Sequence, residues 1–408
     1  MKITRKQFFA RAAGAAAISC VAVPPAIASD ARVRIVKVEP ILVKGPTRAS
    51  ILMMARVRTD QGIDGVGECF VWPWPIPEAG RGLRIPKLIT AVGEAIIGTN
   101  PLDINAFLMR FENSAPAHET PSRLEWASSL AAIEIALWDI TGQVAGLPIY
   151  RLLGGAARES VPVYANHGIF AGARSSEEKL ERAIEAKVQG FQMFKWDPFE
   201  HRPDPARVAI QEGLREVALF RERFGQDFPL AIDAHARFDT STAMIAAKGL
   251  EQFHPVFLEE PVAPDNRDGY REVAKATTIP IATGERLANM RETRDILDTG
   301  AIRFLQLEAG NFCGILETFR GCAMAQTYGA QMAPHDWCGP VLTRATTHVC
   351  AAIPNLLRQE YPSTAREDHW ENELLDPPTV VRAGEIVLPT RPGLGSKLNE
   401  KLLTLRRV

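Results

Sequence analysis

The sequence predicts a parallel (β/α) barrel, on three observations. Eight strand-like runs recur after Val161, an amphipathic stretch separates most of them from the next, and a titratable residue closes most of the runs at a nearly constant interval. The runs are VPVYAN, FQMFKWD, FPLAIDAH, VFLEEP, IPIATGE, IRFLQLE, AQMAPHD and LLRQEYP, and TSTAMIAAKGLEQF, YREVAKAT, RETRDILDTG and ILETFRGCAMAQTYG are the clearest helical stretches between them. A doubly wound open sheet has the same alternation and is the competing layout.

The N-terminus has a different character. Lys2, Arg5, Lys6 and Arg11 precede a stretch of small apolar residues that ends in Ala26-Ile27-Ala28. That is the order of an export signal, so residues 1–28 are expected to be removed and the mature protein to reside in the periplasm. TRKQFF resembles a twin-arginine signal with Lys6 at the second arginine position. A signal left unused would leave the protein cytoplasmic. The apolar stretch is too short for a membrane span, and none is expected in the mature form.

From 33 to 68 the pattern is of short strands, RIVKVEPILVK and SILMMARVRTD, with a glycine turn of hairpin type in TDQGIDGVGE. A loop with two Trp, CFVWPWPIPEAG, follows. The pattern is then helical to about 147, where Gly146 and Pro148 stop it. From about 374 the tail is turn-rich and strand-like, and it is expected to return to the first domain. The boundaries read as 32–160, completed by 374–408, for that domain and 161–373 for the barrel.

Composition excludes some functions. The chain has 408 residues, 47 Lys and Arg against 48 Asp and Glu, and a net charge of -1. No basic surface for nucleic acid or an anionic membrane is expected. Five cysteines remain after the expected cleavage, an odd number with no Cys-x-x-Cys spacing, so no disulfide scaffold is expected.

Asp233 ends its run, and Glu259, Glu285, Glu308, His335 and Glu360 follow at steps of 23 to 27 residues, with Lys195 upstream. One βα unit returns the chain to the same barrel end, so residues at that period gather at the C-terminal mouth, where barrel enzymes keep their chemistry. A single acid there is an ordinary helix cap. Three on consecutive strands repel unless a cation joins them, and oxygen-only ligation by Asp233, Glu259 and Glu285 suits Mg²⁺. Glu308 beside His335 would fix the imidazole tautomer, and Lys195 would neutralise a substrate carboxylate.

Taken together, SLAAIEIALWDITGQVAGLPIYRLLGG, AIDAHARF, FLEEP, ATGE, the Glu308–His335 pair and IPNLLRQEYP resemble the enolase superfamily in its mandelate racemase-like branch. The resemblance implies an α+β capping domain over a modified TIM barrel, (β/α)7β. It also implies Mg²⁺ and abstraction of a proton next to a carboxylate. Metal ligation carries over to Asp233, Glu259 and Glu285, the dyad histidine to His335, and the enolate-side acid to Glu360. Two positions depart from the branch. Lys195-Trp196-Asp197 replaces the Lys-x-Lys of many relatives, which disfavours a two-base racemase, and Glu308 stands where the dyad acid is usually Asp.

Asp233-x-His235 resembles the acid-sugar dehydratases of the branch, the galactonate dehydratases among them, in which this histidine protonates the departing 3-hydroxyl. Strand alternation puts Asp233 and His235 on one side of an extended chain. Asp197, Trp337, Trp72 and Trp74 are further candidates for contact with substrate. The expectation is a homo-oligomeric, Mg²⁺-dependent dehydratase of a sugar acid, giving a 2-keto-3-deoxy acid through an enediolate. A cycloisomerase or epimerase using the same enolate, and a periplasmic binding protein without chemistry, are the alternatives.

Overall fold

The computed structural model describes residues 33–44, 51–70, 84–112, 122–170, 172–200, 206–362 and 372–406. The signal segment, Trp72 and Trp74 lie outside them. Three antiparallel strands open the described chain: β1 (Ile35–Lys44), β2 (Ile51–Thr59) and β3 (Asp64–Cys69), with Met54 opposite Ile41 and Glu68. Gly62, at φ 71°, takes the left-handed turn between β2 and β3.

Helices α1 (Arg84–Ile96), α2 (Ile104–Phe111) and α3 (Ser122–Ala145) follow. α3 is buried along most of its length because it lies between that sheet and the barrel. Its contact with β3 is backbone to backbone. A Cβ on Gly65 would stand 2.1 Å from Ala136 O, and one on Gly67 2.1 Å from Ala132 O. Gly146, at φ 67°, ends the helix where the sequence predicts, and α4 (Ile149–Leu152) begins just after Pro148.

The predicted parallel barrel follows. Its strands are β4 (Ser160–Ala165), β5 (Phe194–Trp196), β6 (Leu230–Asp233), β7 (Leu258–Glu259), β8 (Ile281–Thr283), β9 (Ile302–Leu305), β10 (Gln331–Met332) and β11 (Gln359–Tyr361). β4 to β10 pair in chain order, the Met332–Leu356 bridge joins β10 to the segment that leads into β11, and β11 closes the ring on β4 with Glu360 opposite Tyr164. The intervening helices are α5 (Ser176–Val188), α6 (Ala206–Phe224), α7 (Thr240–Leu250), α8 (Arg267–Ala276), α9 (Met290–Leu297), α10 (Ile315–Thr327) and α11 (Pro340–Ala352). Eight strands and seven helices among the described residues make this a (β/α)7β barrel, and ring closure rules out the open sheet. Tyr164, Met193, Ala231, Phe257, Ala282, Phe304 and Ala333 fill its interior, large beside small, as a floor under the mouth.

The capping domain is fastened to the barrel through helix ends. α5, α7, α8 and α9 are capped by Ser175, Asp239, Asn266 and Asn289 from their own loops. α10 and α11 start after Gly314 and Gly339, which have no side chain to offer. Glu134 of α3 accepts from the N–H groups of Ile315 and Leu316 at 2.7 and 2.9 Å. Glu68 of β3 accepts from Gly339, Val341 and Leu342 at 2.8 to 3.1 Å. Each carboxylate sits where the helix dipole is positive.

The tail divides its contacts. β12 (Leu375–Asp376) pairs with β15 (Lys397–Leu398), while β13 (Val381–Arg382) and β14 (Glu385–Val387) form a hairpin that adds antiparallel to β4. Further on, Leu394 N donates to Asp139 Oδ1 of α3 at 2.9 Å, and Glu400, which opens α12 (Glu400–Arg406), pairs with Arg56 of β2.

Candidate active site

The strand ends at the mouth bring the charged residues of the sequence series together. Asp233, Glu259 and Glu285 are 1%, 0% and 3% exposed, and one oxygen of each lies within 4.8 Å of the others. Lys195 Nζ stands 2.9 Å from Glu259 Oε1, 3.2 Å from Glu360 Oε2 and 3.5 Å from Asp233 Oδ2. Burial works against its charge, but Glu259 and Glu360 outweigh that and hold its pKa well above the usual lysine range. Burial and the Asp233 charge push Glu259 far up, against the pull of Lys195.

His335 Nδ1 donates to Glu308 Oε2 at 2.8 Å, and its Nε2 is 3.2 Å from Glu285 Oε2. The longer glutamate arm therefore reaches the imidazole. Gly310 N donates to the other Glu308 oxygen at 3.1 Å. Burial would lower the His335 pKa, but Glu285, Glu360 and Glu308 raise it to about 10. The ring of Phe70, at the end of β3, meets that of His335 edge-on.

On the other side, the backbone turns sharply after β6. His235 and Ala236 have φ of 46° and 57°, a left-handed pair held by His235 N donating to Asp233 Oδ1 at 2.8 Å and Ala236 N to Glu260 O at 2.8 Å. The turn sets His235 Nδ1 2.8 Å from Asp197 Oδ2 and Nε2 3.3 Å from Asp233 Oδ2. Burial lowers the His235 pKa, Asp233 and Asp197 raise it, and the result is about 10.

Asp197 was expected at the substrate, and the structure places it behind His235. Its side chain is fully buried and engaged by His235, Arg237 and Phe199 N. Trp337 is half-buried beside Gly168, at the edge of the mouth. Glu360 accepts from Tyr164 Oη at 3.2 Å as well as from Lys195.

Five carboxylates (Asp233, Glu259, Glu285, Glu308 and Glu360) face four basic groups here, Lys195, His235, His335 and Arg286, whose Nε is 3.2 Å from Glu285 Oε1, and three of the five converge within a metal ion's reach. That buried negative excess and an all-oxygen donor set fit a hard divalent cation. Sequence reasoning missed three neutral or phenolic neighbours: Tyr164, Gln306, whose Nε2 donates to Glu259 Oε2, and Asn166 at the end of β4. The strand-end position of Asn166 in VPVYAN was the available signal.

Comparison with known proteins gives the same architecture. Residues 30–154 match the family described as "Mandelate racemase / muconate lactonizing enzyme, N-terminal domain", and residues 178–402 match "Enolase C-terminal domain-like". The D-gluconate/D-galactonate dehydratase of Picrophilus torridus is 33% identical over 356 residues, spanning 87% of this chain and 88% of that protein. The D-galactonate dehydratase of Pectobacterium atrosepticum is 30% identical over 87% of this chain and 90% of its own. The crystal structure of a mandelate racemase/muconate lactonizing enzyme from Jannaschia sp. CCS1 superposes with a TM-score of 0.82 at 28% identity, covering 92% of this chain and 98% of that one.

Proposed function

Because the chain belongs to the mandelate racemase/muconate lactonizing enzyme family of the enolase superfamily, we propose that it is a hydro-lyase that dehydrates a sugar acid, an aldonate or aldarate, to the 2-keto-3-deoxy acid. One observation carries this reading. His335 and His235 follow β10 and β6, four strands apart in a ring of eight, so the two imidazoles face each other across the carboxylate triad. A base on one side and an acid on the other is what elimination of water requires.

Asp233, Glu259 and Glu285 would hold Mg²⁺, which when bound supplies positive charge to the substrate carboxylate and so acidifies the neighbouring C–H. With Glu285 neutralised by a bound cation, the largest influence raising the His335 pKa would be removed, and the imidazole would take the proton from C2 through Nε2, with Glu308 keeping the ring oriented through Nδ1. The electron pair of the broken C–H bond becomes the enediolate, whose negative charge Lys195 faces. The enediolate pair then forms the C2–C3 double bond as the C3–O bond breaks. His235 gives its proton to the departing hydroxyl, which leaves as water. Asp197 holds His235 Nδ1, so Nε2 is the nitrogen toward the mouth. The enol takes a proton at C3 and becomes the 2-keto acid. The base and acid act from opposite sides, which favours substrates whose C2 hydrogen and C3 hydroxyl can lie anti to one another. Export to the periplasm and a homo-oligomeric state belong to the same proposal.

The test is incubation with D-gluconate, D-galactonate and a panel of aldarates in Mg²⁺, scoring keto-acid formation and loss of the C2 proton to D₂O by NMR. Keto acid from at least one, dependent on Mg²⁺, is the expected result. Neither keto acid nor exchange with any of them would sink the reading.

A further inference from the structure

The residue that holds Asp197 in place has no part in the scheme above. The Asp197 side chain is fully buried and both of its oxygens are taken. Phe199 N donates to Oδ1 at 2.7 Å, while His235 Nδ1 and Arg237 Nη2 share Oδ2. Arg237 stands two residues after His235, on the loop that leaves β6. Its other nitrogens are engaged as well: Nε donates to Ala234 O at 3.2 Å and Nη1 to Phe199 O at 3.3 Å. One guanidinium thus joins the loops that follow β5 and β6, through one carboxylate and two carbonyls. The planar fork of arginine serves three directions at once, which an ammonium on a flexible stem does not reproduce.

The clamp falls where the backbone is strained. His235 and Ala236 carry a Cβ at φ of 46° and 57°, a region that such residues keep only where their surroundings hold them there. From within, the turn is closed by His235 N donating to Asp233 Oδ1 and by Arg237 N donating to Ala234 O at 3.1 Å. From outside, the Arg237 side chain binds the carbonyl just before the left-handed pair and ties it to the loop after β5. The direction of the His235 ring depends on that pair of φ angles and on the place of Asp197 Oδ2, and Arg237 bears on both. Its side chain is 31% exposed, so its loss leaves the packed interior intact.

We propose that Arg237 is a positioning residue for the acid of the reaction: it holds Asp197 and the strained turn together and so aims His235 Nε2 at the departing hydroxyl. This rests on the sugar-acid reading above. Among the described residues the bonds of Arg237 go to Asp197, Ala234 and Phe199, away from the triad and from the His335–Glu308 pair. Its loss therefore spares the first proton transfer and slows the second. A misaimed acid still carries its proton, so the loss is smaller than that from removing His235 itself.

The experiment follows whichever of D-gluconate and D-galactonate the wild type dehydrates faster, by proton NMR in D₂O with the Mg²⁺-loaded full chain. Keto-acid formation and C2 exchange are read together for Arg237→Ala, Arg237→Lys, His235→Asn and the double variant. Arg237→Ala should slow dehydration about 10- to 100-fold, while C2 exchange stays within about threefold of wild type or rises. Arg237→Lys, which keeps a cation beside Asp197 without the fork, should lie between that variant and wild type. In the His235→Asn background, Arg237→Ala should slow dehydration by less than about threefold more, because the group it aims is gone. Exchange that falls as far as dehydration, or losses that multiply in the double variant, would reduce Arg237 to a structural role and overturn the assignment. Should Arg237→Ala fail to fold, Arg237→Lys carries both tests, alone and with His235→Asn. If the wild type dehydrates neither acid, the sugar-acid reading fails first and this inference with it. A wild type that dehydrates its substrate beside Arg237 variants equal to it removes only the inference.

Discussion

The ring of Phe70 stands edge-on to that of His335, 5.6 Å between centroids and 89° between planes. Phe70 comes from the capping domain and its N–H donates to Gly310 O at the barrel mouth, at 3.3 Å. The base of the proposed reaction is therefore steadied from outside the barrel. Phe70→Ala should leave His335 looser and wetter, and lower kcat about 10-fold with a smaller change in KM. Exchange of the C2 proton with D₂O should fall in parallel. An unchanged exchange rate would mean that the ring only fills space.

Glu259→Gln should lose Mg²⁺ affinity while the fold survives, because the floor layer lies beneath the ligands. Calorimetric titration of both proteins checks this, and equally tight Mg²⁺ binding in the variant would refute the ligand set.

The two histidines should fail differently. His335→Asn should abolish both C2 exchange and dehydration, since nothing follows without the first proton transfer. His235→Asn should slow dehydration by roughly 10²- to 10⁴-fold, the range for a general acid, and leave some exchange. Proton NMR on one substrate reads both. Dehydration at the wild-type rate in His235→Asn would reduce that residue to a turn.

Acid should destabilise the fold through His348. It is buried in α11, where Nδ1 accepts from Tyr150 N at 3.2 Å, and burial pulls its pKa from 6.5 down to about 3. Between those values the unfolded chain binds the extra proton, so this contribution is complete above about pH 6.5 and is lost as pH falls toward 3. His348→Gln keeps an acceptor and cannot be protonated. From pH 7.5 to 5, wild type should lose about 2 kcal/mol more than the variant in urea denaturation, at roughly 1.4 kcal/mol per unit. Equal losses would exclude His348 as the source.

Protein isolated from its native host should begin near Ser29 in a periplasmic fraction, which N-terminal sequencing decides. An intact Met1 on cytosolic protein would refute export.

Charge made most of the mouth legible in the sequence. Asp233, Glu259, Glu285, Glu308, His335 and Glu360 stand out because titratable groups at the ends of apolar runs are rare, and the repeat length is a property of the βα unit. Asn166 and Gln306 occupy the same mouth, but a neutral amide after a strand looks like any turn residue. The place of Asp197 behind His235 depends on two successive positive φ angles that no residue type in AIDAHARFD announces. The sequence runs also overstate the strands, for FPLAIDAH pairs only over Leu230–Asp233. The rest of such a run leaves the ladder to form the site. The hairpin over 381–387 joins β4 because that strand has a free stretch at its start, a three-dimensional fact that turn chemistry does not carry.

Glycine at the starts of α10 and α11 has a consequence for how such proteins can be recombined. A Cβ at Gly339 would fall 2.4 Å from Glu68 Oε1, and one at Gly314 2.0 Å from Glu134 Oε2. The lid's carboxylates and the barrel's glycines thus fit only as matched sets. A chimera that took the lid of one relative and the barrel of another would inherit either two open helix ends or two collisions, unless both pairs travelled together. Lid and barrel are separable as sequence segments, but at these two joints they are inherited as one part.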